Sequence, residues 1–216
     1  MKFIKIVSLV ATLLAAAAAH AVPITWDIEG HLTEASDATP LGLPLEVLLS
    51  FDSNAAFLNQ STPGRYAYSP AATTMAIWLD GSYIKTFHYN PGFGGALFVR
   101  DDSLVGGVPM DGYTFGLNED NGSGGILTLQ FIMRGTNTDL LSGGALPTVP
   151  PAGLLAEESH VFQVCESSPN SPNSCDLTFY EFELDAVRAV SEPGTLALLG
   201  LGALGLAALR QRRRRQ

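Results

Sequence analysis

Basic residues are almost missing from the middle of this 216-residue chain. Lys2 and Lys5 lie at its start, and Arg210, Arg212, Arg213, Arg214 and Arg215 at its end. Between them stand only Arg65, Lys85, Arg100, Arg134 and Arg188, against twenty acidic residues, so the formal charge of −9 conceals a body at −15. Neutralising a phosphate backbone takes clustered Lys and Arg on a folded surface, which argues against nucleic acid as a partner.

Catalytic signatures are equally scarce. Downstream of His20 there are three histidines, His31, His88 and His160, and no H-x-x-x-H pair. Ser123 has glycine neighbours, but Asn121 stands where the nucleophile-elbow pattern G-x-S-x-G needs glycine. No residue is assigned as catalytic and no cofactor is expected, so the chain reads as non-enzymatic.

Long helical periodicity is absent from the body, and period-two alternation takes its place. Ile24, Trp26 and Ile28 alternate with polar neighbours; Leu43, Leu45, Val47, Leu49 and Phe51 fall on one face. Met75, Ile77 and Leu79 lead into Asp80-Gly81 and a second run from Tyr83 to Tyr89, the pattern of a hairpin turned by residues that tolerate positive φ. Leu127, Leu129, Phe131 and Met133 make another face, and Tyr180, Phe182, Leu184 and Ala186 a last one, with further strands expected at 96–100, 113–117 and 160–165. About ten short strands with Gly, Pro, Asn and Asp turns predict an all-β domain over residues 22–190. The expected form is an antiparallel β-sandwich, jelly-roll-like, of two sheets face to face.

Within that body, Cys165 and Cys175 flank a polar, proline-interrupted loop and are expected to pair as a hairpin staple, because two thiols with one nearby imidazole make a poor zinc site. Asp101, Asp102, Asp111 and Asp120, with Asn118, Glu119 and Asn121, are expected in turns; calcium takes oxygens from such turns, though no calcium-loop register exists. Glu181, Glu183 and Asp185 share a strand face at a spacing that glycoside hydrolysis tolerates, but the apolar opposite face makes theirs the solvated side. Tyr66, Tyr68, Trp78, Tyr83, Tyr89 and Tyr113 are candidates for stacking on sugars, and Trp78 is expected on the outer face because it is out of phase with Ile77 and Leu79.

The ends read as addresses. Lys2 and Lys5 precede an apolar run from Ile6 to Ala19 that closes on Ala19-His20-Ala21, the pattern of a secretory signal peptide over residues 1–21, forming a signal helix and cut between Ala21 and Val22. At the other end, residues 194–209 are apolar and Gly/Ala/Leu-rich, a helix of about 25 Å that spans a bilayer marginally. The five terminal arginines act as a membrane stop and stay cytoplasmic, which places the body outside. Gly200, Gly202 and Gly205 spell a dinucleotide fingerprint, but no strand precedes them and no acidic residue follows.

Ser191-Glu192-Pro193, then an apolar helix, then an arginine cluster resembles the PEP-CTERM sorting signal of exosortase substrates in Gram-negative bacteria, over residues 191–216, with Ser191 in place of the first proline. The leader implies export by Sec-type machinery, and the apolar helix with its arginine stop implies a precursor held in the inner membrane with its domain in the periplasm. The resemblance implies that exosortase acts at the Glu192-Pro193 segment and passes the body to the cell surface or extracellular matrix, a setting associated with exopolysaccharide and biofilm. Two alternatives stand beside a non-catalytic matrix protein: a carbohydrate-binding module, assisted by calcium, and a secreted hydrolase.

Overall fold

The computed structural model describes residues 23–136, 139, 141, 143–150, 159–168, 175 and 177–190. Every described element is a strand. In chain order these are β1 (Pro23–Ala35), β2 (Pro44–Asp52), β3 (Phe57–Thr62), β4 (Arg65–Tyr68), β5 (Thr74–Leu79), β6 (Ser82–His88), β7 (Gly95–Val105), β8 (Val108–Asp120), β9 (Ile126–Gly135), β10 (Ser159–Ser167) and β11 (Thr178–Ala189). The expected alternation is carried into burial: Trp26, Ile28 and Leu32 on β1 and Leu45, Val47, Leu49 and Phe51 on β2 are all within 3% of fully buried. The predicted Asp80-Gly81 turn joins β5 to β6, with both residues at positive φ.

The two separate sheets expected from the sequence are one. All eleven strands pair antiparallel in the order β3-β4-β7-β8-β9-β10-β11-β1-β2-β5-β6. Short links prove that this sheet is folded over. β2 and β3 lie eight positions apart in the order, about 38 Å across a flat sheet. The four residues between them reach about 17 Å at most. The same mismatch holds from β4 to β5 and from β6 to β7, again eight positions apart. Three short connections therefore hop between two facing layers, and β9, β10 and β11 carry the sheet around the bend. The layered, sandwich-like arrangement stands, built from a continuous sheet rather than from two jelly-roll sheets.

Between the layers sits a core with Trp26 at its centre. Its indole meets Phe51 of the neighbouring strand edge-on at 5.3 Å, and Phe115 of β8 and Phe131 of β9 across the layers at 5.5 and 6.1 Å. Such pairs add about 0.5–1.5 kcal/mol each beyond the area they bury. Met75, Leu97, Val99, Leu117, Leu129, Met133 and Phe162 belong to the same cluster. Among the described residues no helix is long and apolar enough to cross a membrane. The expected signal helix, with Ala19, Ala21 and Val22, and the expected membrane helix over 194–209 lie outside the described residues.

Candidate functional site

The acidic residues expected in turns, Asp101, Asp102, Asp111, Glu119 and Asp120, all lie in strands. Asp101 and Asp102 sit on β7 where its register with β8 slips between Arg100 and Ser103, and Asp102 takes φ 54° to accommodate that bulge. Opposite them Asp111, on β8, is fully buried. Its two carboxylate oxygens accept the amides of Asp102 at 2.9 Å and Leu141 at 2.8 Å, so it ties the bulge to the connection that follows β9. Burial and the charges of Asp111 and Asp102 raise the Asp101 carboxyl above its ordinary value, while the Gly143 amide pulls it back. The structure thus brings Asp101, Asp102 and Asp111 together.

Asp120 stands apart, about 30 Å along β8 from Asp111. There it accepts the Gly122 amide at 2.8 Å, while Asn121 accepts those of Ser123 and Gly125 and so shapes the turn into β9. Glu119 pairs with Lys85 and accepts the His88 amide at 3.2 Å, which joins edge strand β6 to β8 across the layers. Among the described residues no group of three or more His, Cys, Asp and Glu is arranged to hold a metal ion.

On β11 the carboxylates alternate as expected. Phe182 and Leu184 are buried and Glu183 and Asp185 exposed. Glu181 accepts from Gln163 Nε2 at 2.6 Å, and both oxygens of Asp185 lie 3.0–3.1 Å from His31 Nδ1. His88 is exposed on β6, and β10 carries His160 opposite Met133.

The six aromatic candidates separate by layer. Tyr113 is core, 4% exposed, and its hydroxyl is pushed well above the ordinary tyrosine range by burial first and by Asp111 and Asp101 second. Tyr66, Tyr68 and Tyr89 pack partly buried against the core, and the Tyr68 hydroxyl donates to the Gly144 carbonyl. Trp78 and Tyr83 form a pair at 5.4 Å on the outer face, where Tyr83 is 57% exposed.

Cys165 and Cys175 are joined in a disulfide, with Cα atoms 5.0 Å apart. The bridge forms one wall of an open cleft of about 370 Å³, lined otherwise by Asn118, Ile126, Thr128, Gln130 and Gln163. Cross-strand register explains the grouping: Asn118, Thr128 and Cys165 stand in one row across β8, β9 and β10, and Gln130 and Gln163 in the next. Three primary amides and a hydroxyl therefore present donors and acceptors without a net charge. Sequence reading did not single out this amide row, because its members are two strands apart in the chain and only register assembles them.

The expected sorting residues Ser191, Glu192 and Pro193 and the expected membrane-stop residues Arg210, Arg212, Arg213, Arg214 and Arg215 lie outside the described residues. Comparison with known proteins finds no curated protein and no solved structure that matches the chain. Residues 189–214 match the PEP-CTERM protein-sorting motif, starting at the last residue of β11. The chain thus carries at its C-terminal tail the PEP-CTERM protein-sorting motif, the mark of an exported protein that exosortase sorts.

Proposed function

We propose that the chain is a non-catalytic exported β module, held as a precursor by its tail in the inner membrane and passed to the cell surface or extracellular matrix once exosortase removes that tail. The observation that carries this reading is the pairing of the first strand with the last. Trp26 is the cross-strand partner of Ala189, and the Val190 amide donates to the Thr25 carbonyl at 2.9 Å. The leader and the sorting tail thus join the body at one corner, so a precursor attached through both hangs from a single point. Cutting beyond Val190 removes no described strand.

Mass spectrometry of the protein from strains with and without exosortase tests the proposal. Loss of the tail only where exosortase is present supports it; a chain still ending at Gln216 in the presence of the enzyme rejects it.

A second reading is favoured by the amide-lined cleft: the module binds the hydroxyls of an exopolysaccharide there, in the biofilm setting that the sorting signal suggests. Neutral amides suit a neutral polyol, since each offers a donor and an acceptor at low desolvation cost. Pull-down on neutral exopolysaccharide, compared between wild type and Gln130→Ala with Gln163→Ala, tests it. Equal retention of both proteins removes the cleft from consideration.

A further inference from the structure

Three of the five cations in the body stand in one row. Arg65 on β4 is the cross-strand partner of Arg100 on β7; Arg100 is opposite Gly112 on β8; and Gly112 is opposite Arg134 on β9. Cross-strand partners share a face of the sheet. The residues next to them, Val99, Tyr113 and Met133, point into the core, so the arginine row lies on the outer side.

The row is also drawn together. A Cβ at Gly112 would collide with the Met133 carbonyl oxygen and lie 2.9 Å from Arg134 Cγ, so the position between Arg100 and Arg134 in the row has room only for glycine. From the other side, the Arg65 guanidinium rests on the Phe98 ring, 4.0 Å from its centroid, two residues from Arg100 on the same strand face. The Nε atoms of all three arginines are buried without a hydrogen-bond partner. Arg100 feels its neighbours: burial first, then the charges of Arg65 and Arg134, holds its guanidinium below the ordinary arginine range.

Gathering three like charges on partly desolvated stems is unfavourable unless an opposite charge meets them. This body holds twenty acids against five cations, so a carboxylate is the commonest charged neighbour on offer. Carboxylates do reach the other two cations, Lys85 through Glu119 and Arg188 through Glu29. Among the described residues none makes an ion pair with Arg65, Arg100 or Arg134.

We propose that the outer face of β4, β7, β8 and β9 carries an oxyanion-binding site formed by Arg65, Arg100 and Arg134. It takes a phosphate, sulfate or carboxylate group, whose several acceptor oxygens match the forked guanidinium donors. That group arrives either as a free inorganic ion or as the acidic substituent of a polysaccharide.

The test is a titration of the full chain with sodium sulfate, sodium phosphate and polygalacturonate, each against sodium chloride at equal ionic strength, followed by melting temperature. Sulfate and phosphate stabilise folded proteins generally, so the reading is the saturable part of the shift and its difference between wild type and R100Q. A saturable shift in wild type, weakened roughly tenfold or more in R100Q, is expected. Response to the inorganic ions identifies a free-ion site, and response to polygalacturonate alone identifies an acidic sugar. Without added anion, R100Q is expected to melt no lower than wild type, because it relieves repulsion; a purely structural arginine would lower the melting point. If R100Q does not fold, R65Q at the end of the row reads the same loss. Identical curves in wild type and variant, or no saturable shift with any of the three anions, overturn the proposal.

Discussion

The Asp111 carboxylate accepts the Asp102 amide at 2.9 Å, nine residues back along the chain, and so holds closed the bulge where β7 slips against β8. Its second oxygen holds the Leu141 amide at 2.8 Å. Asp111→Ala leaves two amides without their acceptor in a partly buried place. A loss of about 2–4 kcal/mol is expected, measured by urea unfolding, with Asp102→Asn as the control that keeps the backbone amide and tolerates the positive φ. A loss no larger than that of the control would mean that the carboxylate does not tie these segments.

Removing the disulfide has a defined cost. Cys165→Ser with Cys175→Ser opens a closure of ten residues. It is expected to destabilise by about 2–3 kcal/mol through the freedom returned to the unfolded chain. Urea midpoints of the oxidised wild type and the double variant give the difference. Thiol titration of the denatured, unreduced protein should find no free thiol.

Alkaline pH should unfold the domain through Tyr113. Its hydroxyl is raised above the ordinary tyrosine value of 10.0, with burial as the first cause. The folded state therefore keeps this proton where the unfolded chain releases it. The stabilisation is complete below the unfolded value near pH 10 and is lost as pH rises through the folded one. Tyr113→Phe is expected to flatten the fall in melting temperature above pH 10; an unchanged slope would assign the loss to other groups.

The boundary between body and tail is sharp. A chain ending at Val190 keeps all eleven described strands and should melt as the longer chain does. A chain ending at Leu177 lacks β11, which pairs with both β1 and β10 and buries Phe182, Leu184 and Val187. Its cooperative transition, followed through the near-ultraviolet signal of Trp26, is expected to disappear.

Half-buried strands were legible in the sequence because one face of each is apolar. β1, β2 and β5 alternate as plainly in burial as in residue type, while on β9 Ile132 is buried along with its neighbours Phe131 and Met133. The hairpin of β3 and β4 was not, for a physical reason. β3 is a sheet edge whose Phe57 and Leu58 are both more than half exposed, so neither face is marked as inward. The tip of the β7–β8 hairpin at Gly106-Gly107 was hidden similarly, with Leu104 and Val108 out in solvent. Asp111 read as a turn residue because a carboxylate at a core position breaks the alternation it belongs to. Faces are local and neighbours are not, so the pairing of β1 with β11 that makes one sheet out of two left no local trace. The arginines that looked scattered along the chain become a row only through three successive registers.

That same β1–β11 pairing sets the order in which the domain can close. Trp26 lies on the first described strand and its cross-strand partner Ala189 on the last, so the pairing that joins β1, β2, β5 and β6 to the other strands waits until β11 is made. Non-local pairing of this kind is slow to form, because the chain entropy of a long loop is lost before any contact compensates it. Until β11 is made the chain therefore stays open along β1, and the domain locks only when this last described strand arrives.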